Sequence, residues 1–202
     1  MVQGFGNVGS MTAQTAHQMG CSVIAVSDIS GGIYCDRGID IPALIEYNQT
    51  YKTIAGFPGT SVVENEQLLA LPCDVLIPAA MENQLTRVTA PRVSARLVAE
   101  GANGPTTPEG DEILRDKTII VIPDIMCNAG GVIASYFEWV QDLQNLFWEE
   151  SDVTSKLERI MIRSFHDMDD TAKRMNISLR TAALVLGIGR VADAHETRGL
   201  YP

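Results

Sequence analysis

Two hydrophobic rhythms divide this chain. Up to Ile122, short unbroken apolar runs alternate with amphipathic stretches; from Gly131 onward, apolar residues recur every three or four positions. The runs at 22–27, 74–77, 96–99 and 118–122 predict β-strands, being short, rich in β-branched residues and bounded by polar or breaking positions. Residues 8–19 predict a helix closed by Gly20, and 41–52 a second one with Ile41, Leu44, Ile45 and Tyr51 turned inward. Gly31-Gly32 reads as a turn, and Pro58-Gly59 as a break. Strands without polar alternation, separated by helices, predict a mostly parallel sheet covered on both faces, an α/β fold.

Beyond Gly131 the pattern predicts helices only. Residues 132–148 form one aromatic-rich helix. Ser151 or Asp152 would cap the next, in which Val153, Leu157, Ile160, Met161, Ser164, Met168, Ala172 and Met175 share a stripe. Asn176 would close it, and Ser178 would cap a last helix carrying Leu179, Ala182, Ala183, Leu186 and Arg190. No repeat, low-complexity tract or linker interrupts the chain. The expected organisation is an α/β domain over residues 1–150, with helices over 151–202 packing on that same domain.

Composition narrows the function classes. At 202 residues, 46% hydrophobic and 20% charged, the chain has the profile of a soluble globular protein. A formal charge of −10 with no basic patch argues against nucleic acid or an anionic membrane as partner. No apolar run is long enough to span a bilayer, and no signal peptide precedes the glycines. Cys21, Cys35, Cys73 and Cys127 lie far apart without a C-x-x-C pair, so the expectation is reduced thiols in the cytoplasm and no metal site. His17, His166 and His195 are scattered and read as structural or surface residues.

The candidate chemistry begins at the third residue. "QGFGNVG" places Gly4, Gly6 and Gly9 in a G-x-G-x-x-G loop directly before a helix. In such a loop the first glycine allows a tight turn, the second a close approach of backbone to pyrophosphate, and the third helix-on-strand packing. Free N–H groups and the positive end of the helix then bind phosphate. Asp28 stands 19 residues past Gly9 at the end of the next expected strand, where an acid would hold adenosine ribose hydroxyls. These features point to a Rossmann-like, doubly wound sheet that binds NAD or NADP. The acid leans towards NAD; Arg37 is the only nearby base, and Gly31-Gly32 leave room for a 2′-phosphate.

Three loops would join the glycines at the carboxyl edge of the sheet, where ligands of doubly wound folds sit. They are "LIPAAMEN", "EGANGPTTPEG" and "PDIMCNAGGVIASYFEW". Asn103 and Asn128 carry amides suited to a nicotinamide ribose or carboxamide, although Asn is also a common turn former. Asn128, Val132 and Ser135, spaced by four and three, share one stripe if the helix starts near Ala129. Ser135 reads either as a ligand hydroxyl or as a small residue that permits close packing. Tyr136, Phe137, Val140, Leu143 and Phe147 read as core or interface.

"QGFGNVG", "AVSDISGGIY", "CDVLIPAA", "VAEGANGPTTPE" and "PDIMCNAGGVIASYFEWVQ", in this order, resemble the cofactor-binding domain of hexameric glutamate dehydrogenases, from Val2 to about Leu200. The resemblance implies that Gln3, Gly4, Phe5, Gly6, Asn7, Val8 and Gly9 line the pyrophosphate. It implies further that Asp28 and Ile29 meet the adenosine ribose, Ala79 and Ala80 the adenosine side, and Asn103 and Asn128 the nicotinamide end. Ser135, with Val132, would meet the substrate, the serine taking the side-chain carboxylate of glutamate. Leucine, phenylalanine and valine dehydrogenases share the Asn-Ala-Gly-Gly-Val stretch but lack the long Ser-Tyr-Phe-Glu-Trp helix, so glutamate and 2-oxoglutarate are favoured. A homo-hexamer is implied for a full-length protein.

The departures carry equal weight. Family members have an N-terminal domain of comparable size with substrate lysines, a catalytic lysine in a glycine-rich loop and a proton-shuttling acid. Here only Lys52, Lys117, Lys156 and Lys173 occur, none in such a loop, so no catalytic residue is assigned. The expectation is a fragment: a truncated product, an internal start or an excised domain. Its first strand would be cut short at the centre of the sheet, and the chain would be inactive alone. The alternatives are an NAD(H)-binding module without turnover and a leucine, phenylalanine or valine dehydrogenase relative.

Overall fold

The computed structural model describes residues 1–199. Leu200, Tyr201 and Pro202, where the expected 151–202 segment ends, lie outside the described residues. The chain divides into two compact units, Met1–Asp124 and a second from Ile125 onward.

The first unit is built on one seven-stranded sheet in the order β4-β3-β2-β1-β5-β6-β7. The strands are β1 Val2–Gln3, β2 Ala25–Asp28, β3 Gly31–Tyr34, β4 Ser61–Val63, β5 Cys73–Pro78, β6 Ala95–Ala99 and β7 Ile120–Ile122. Helices α1 Asn7–Gln18, α2 Ile41–Tyr51, α3 Asn65–Ala70 and α4 Pro108–Asp116 connect them. β1 lies in the middle, parallel to β2 on one side and β5 on the other, with Val2 opposite both Val26 and Ile77. The chain first winds outward through β2, then returns and winds the other way through β5, β6 and β7. That reversal puts the topological switch point between β1 and β5.

Neighbouring strand residues feed opposite cores. Met1, Ala25 and Leu76 belong to one buried cluster with Leu68, Leu85, Val98 and Leu114. Val2 and Val26 belong to the other, with Phe5, Ala13, Ile33, Ile41 and Leu44, and Ile77 packs against it. Both faces are apolar, which is why these strands show no polar alternation.

Several expectations need correction. Gly31-Gly32 is not a turn but the start of β3, antiparallel to β2, with Gly32 opposite Val63 of β4. A Cβ on Gly32 would stand 2.8 Å from both Val63 Cγ1 and the Val63 carbonyl, so the glycine admits the neighbouring strand. Residues 29 and 30 make the turn instead. The antiparallel pair β3–β4 and helix α3 were not expected. Ladder pairing of β2 begins only at Ala25; Val23 and Ile24 instead accept hydrogen bonds from Ile39 N and Cys35 N, 2.8 Å each. β7 begins at Ile120, after Thr118 takes a left-handed φ of 59°. Ile41 and Leu44 are buried on α2, whereas Tyr51 is exposed, its ring tilted 40° against that of Tyr47 at the end of the helix.

The second unit is helical: α5 Asp124–Cys127 at its edge, then α6 Gly130–Gln144, α7 Glu150–Met175 and α8 Leu179–Arg198. α6 stops before Phe147 and Trp148 because Asn145 turns left-handed, φ 50°. The chain then folds back: Trp148 meets Phe137 edge-on at 5.5 Å, and its backbone N–H donates to Gln141 Oε1 at 2.7 Å. Glu149, rather than Ser151 or Asp152, occupies the N-cap of α7. Asn176 closes α7 in a left-handed conformation, and Ser178 Oγ accepts from Thr181 N at 3.1 Å, as expected. Met168 and Ala172 are buried on the expected stripe, whereas Met175 is exposed. α6 packs on α7, so the compact units divide at Asp124, ahead of residue 150.

Among the described residues, no helix is long and apolar enough to cross a membrane. The four free cysteines differ in setting. Cys21 is exposed, and burial raises the Cys73 thiol above its ordinary value. A thiol with a raised pKa carries less thiolate at a given pH. Under native conditions near pH 8, iodoacetamide should therefore label Cys21 first, with Cys73 lagging and catching up as the pH rises. Mass-spectrometric mapping that finds equal rates would contradict this.

Candidate functional site

The sheet's carboxyl edge is organised by the turn after β1. Gly4 adopts φ +97°, and a Cβ there would meet Ala79 O at 2.8 Å and Ala80 Cα at 3.0 Å. Ala79 N donates to Gln3 O at 2.8 Å, and Gly4 N donates to the buried Ser27 Oγ at 3.1 Å. The turns after β1 and β5 thus meet strand β2 at Gly4, which brings Ala79 and Ala80 to the glycine loop as the sequence suggested. At Gly9 a Cβ would lie 1.9 Å from Gly4 O, so α1 leaves the strand with backbone against backbone. A Cβ on Gly6 would have nothing within 4 Å.

Gly6 is also the N-cap of α1, and no side chain caps that end. The first N–H groups of a helix have no partner inside it, so this end presents donors and the positive pole of the helix dipole. Asn7 and Val8 are exposed there. Phe5 is buried in the core. Gln3 is 1% exposed, and its Nε2 donates to Asn65 Oδ1 at 2.8 Å and Gln84 Oε1 at 2.7 Å. The side chain of Gln3 therefore braces the loop from beneath rather than facing outward.

Asp28, at the end of β2, is not the loosely solvated acid that spacing alone would allow. Its Oδ1 accepts from Ser30 N at 2.7 Å and from Ser30 Oγ, and its Oδ2 accepts from Ile54 N at 2.9 Å. Ile29 beside it is fully exposed. Past β6, the loop holding Asn103 is sewn to its neighbours. Gly101 N and Ala102 N donate to Pro78 O, and Asn83 N donates to Gly104 O at 2.9 Å. Gly104 N donates to Asp124 Oδ2 at 2.8 Å, and Asp124 N donates to the buried Glu100 Oε2 at 2.8 Å. Asn103 is exposed on this braced loop.

In the second unit, Asn128 lies in the turn between α5 and α6 and is partly buried. Val132 is 76% exposed. Ser135 is exposed too, and its Oγ donates to Gly131 O at 3.1 Å, so its proton is engaged within its own helix while its lone pairs stay open. Among the described residues, no group of three or more His, Cys, Asp or Glu side chains gathers as a metal site.

The family of glutamate, leucine, phenylalanine and valine dehydrogenases has a model that matches residues 1–199. The chain belongs to this family. Similar members include the glutamate dehydrogenase of Thermotoga maritima, 49% identical over all of this chain and 49% of its own length. The cryptic catabolic NAD-specific glutamate dehydrogenase of Bacillus subtilis is 43% identical over 98% of the chain and 46% of its own length. The NADP-specific enzyme of Synechocystis is 44% identical over 98% of the chain and 48% of its own length. The hetero-hexameric glutamate dehydrogenase of Thermus thermophilus, in its leucine-bound form, superposes with a TM-score of 0.93 at 34% identity, over all of this chain and 48% of that one. This glutamate/leucine/phenylalanine/valine dehydrogenase family member therefore spans about half the length of the relatives it matches.

Sequence reasoning overlooked Ser27, Ser30, Ile54, Asn65 and Gln84, which support the site without carrying a motif. Only Ser27 had a local signal, being the polar residue inside an apolar run. Gly6 and Gly9 of the loop make distinct demands. Gly9→Ala drives a Cβ into Gly4 O and should cost about 2–3 kcal/mol of unfolding free energy. Gly6→Ala enters open space and should stay within about 1 kcal/mol of the parent. Urea titrations followed by circular dichroism check both; equal destabilisation would contradict the packing described.

Proposed function

We propose that this chain is the coenzyme-binding portion of an NAD(P)-dependent glutamate dehydrogenase. Its reaction is the reversible oxidative deamination of L-glutamate to 2-oxoglutarate and ammonia. The observation that carries the reading is the glycine cradle. Gly4 and Gly9 have no room for a side chain, Gly6 faces open space, and α1 begins there without a side-chain cap. A pyrophosphate fits such a place: backbone donors and the helix dipole face it, and no Cβ stands in the way. When bound, the nicotinamide ring supplies the hydride acceptor for the substrate α-carbon.

The residues of this chain bind and orient. First-turn N–H groups of α1 hold the pyrophosphate, and Asp28 accepts a hydrogen bond from an adenosine ribose hydroxyl. Asn103 and Asn128 serve the nicotinamide end, and Ser135, next to Val132, takes the side-chain carboxylate of glutamate by turning its hydroxyl from Gly131 O. NAD is favoured over NADP, because an acceptor-only carboxylate repels a 2′-phosphate; the relatives include both an NAD-specific and an NADP-specific enzyme. A hexamer is proposed for the full-length protein, in keeping with the hexameric assembly named for the Thermus thermophilus enzyme.

Turnover is not proposed for this chain by itself. A lysine base needs a lowered pKa and access to substrate. Lys117 Nζ donates to Pro91 O and Val93 O at 2.6 Å each, Lys173 pairs with Asp169, which raises its pKa, and Lys156 lies 4.8 Å over the Trp148 ring. Lys52 closes α2 in a left-handed conformation. The four lysines are thus spent on structure or surface.

Fluorescence titration of the 202-residue chain with NADH should give a saturable signal, and Gly6→Ala should weaken it about ten-fold or more while sparing the fold. Absence of saturation at millimolar NADH with a folded chain would remove the proposal. The same preparation should show no glutamate-dependent NADH formation; measurable turnover would show that the lysine accounting is wrong.

A further inference from the structure

The acid at the end of β2 is held by a second stretch of chain far from it in sequence. Thr53 Oγ1 lies 2.8 Å from Ser30 Oγ, and Ser30 Oγ donates to Asp28 Oδ1. Each hydroxyl has one proton. Ser30 spends its own on the carboxylate, so the proton between the two hydroxyls must come from Thr53. Thr53 Oγ1 in turn accepts from Ala55 N at 3.1 Å, and Ile54 N closes the other side by donating to Asp28 Oδ2 at 2.9 Å. A directed chain thus runs from Ala55 N through Thr53 and Ser30 to Asp28, and each link polarises the next.

The bookkeeping of lone pairs gives this chain a consequence. A carboxylate offers about four acceptor sites. Asp28 Oδ1 already accepts two hydrogen bonds and Oδ2 one, which leaves a single acceptor direction. A ribose hydroxyl can fill that direction. A phosphate ester cannot, and neither Ser30 nor Thr53 offers it a proton in compensation, since both hydroxyl protons are committed towards the acid.

From this geometry we infer that Thr53 and Ser30 are positioning residues for coenzyme discrimination. They fix the Asp28 carboxylate with one free acceptor direction and withhold their hydroxyl protons from a 2′-phosphate, so that NADH is preferred to NADPH. The inference rests on the coenzyme reading proposed above and adds to it residues that touch no ligand in the first instance and act through Asp28.

The test is a set of NADH and NADPH dissociation constants, by fluorescence titration of the full chain, for the parent, Thr53→Val, Thr53→Ser, Ser30→Ala, Asp28→Asn and the double variant Thr53→Val with Asp28→Asn. Thr53→Val and Ser30→Ala should each weaken NADH about five-fold, the size of one hydrogen bond, and leave NADPH within about two-fold. Thr53→Ser should restore the parent ratio. In the Asp28→Asn background, Thr53→Val should add nothing. Ser30 is exposed, so its variant keeps the test available if Thr53→Val proves unstable. Equal losses for both coenzymes, no loss for either, or an undiminished effect without the Asp28 carboxylate would each overturn the inference while leaving the coenzyme reading intact. A parent chain that binds neither coenzyme would overturn both.

Discussion

Helix α1 can follow β1 as it does only because Gly9 has no side chain: any Cβ there would sit 1.9 Å from the carbonyl of Gly4. That approach aims the start of α1 across the carboxyl edge of the sheet at the switch point between β1 and β5. It also obliges Gly4 to turn with φ +97°, which brings its backbone against Ala79 and Ala80 and its N–H onto Ser27 Oγ. The turns after β1 and β5 and strand β2 are therefore fixed relative to one helix end around Gly4. Gly6 plays no part in that packing, which leaves it free for whatever the helix end receives.

Around this contact the sheet is buried on both faces. Met1 and Val2 serve opposite clusters, as do Ala25 and Val26. A two-residue central strand therefore joins both halves of the unit, and Gln3 extends the bracing by its amide to Asn65 and Gln84. Exposed ion pairs such as Arg96–Asp74 and Arg92–Glu66 add little to this, since solvent screens them.

Local chemistry was legible and tertiary contact was not. Asn176 and Ser178 could be read as helix end and helix start because a left-handed Asn and a hydroxyl N-cap act on their own few residues. The G-x-G-x-x-G loop and Asp28 were legible for the same reason, as a spacing between adjacent elements. The pair Gly31-Gly32 misled because two glycines look alike in a turn and in a strand pressed by a neighbour, and Val63, which presses on Gly32, lies in another element. Thr53 and Ile54 were invisible: they reach Asp28 only after α2 has folded and brought its far end back to β2. The stop of α6 at Asn145 escaped because Phe147 and Trp148 continue the apolar pattern beyond the helix, where Trp148 folds back on Phe137.

The overall charge sharpens the role of the helix end. With a formal net charge of −10, the long-range field opposes an anionic coenzyme, and at physiological salt that field is damped beyond about 8 Å. For the proposed coenzyme, attraction would have to come from donors in direct contact, and backbone N–H groups at α1 would supply it without adding a basic side chain. In the proposed coenzyme site the same reasoning would apply at the adenosine ribose, where Asp28 would add a further negative charge. A hydroxyl gains from that charge, because it donates a proton to it over a short distance. A phosphate at the same position would meet repulsion both from the acid and from the field. Local donor geometry and global charge thus act in the same sense, and selectivity at Asp28 should owe more to where its free lone pair points than to how many charges surround it.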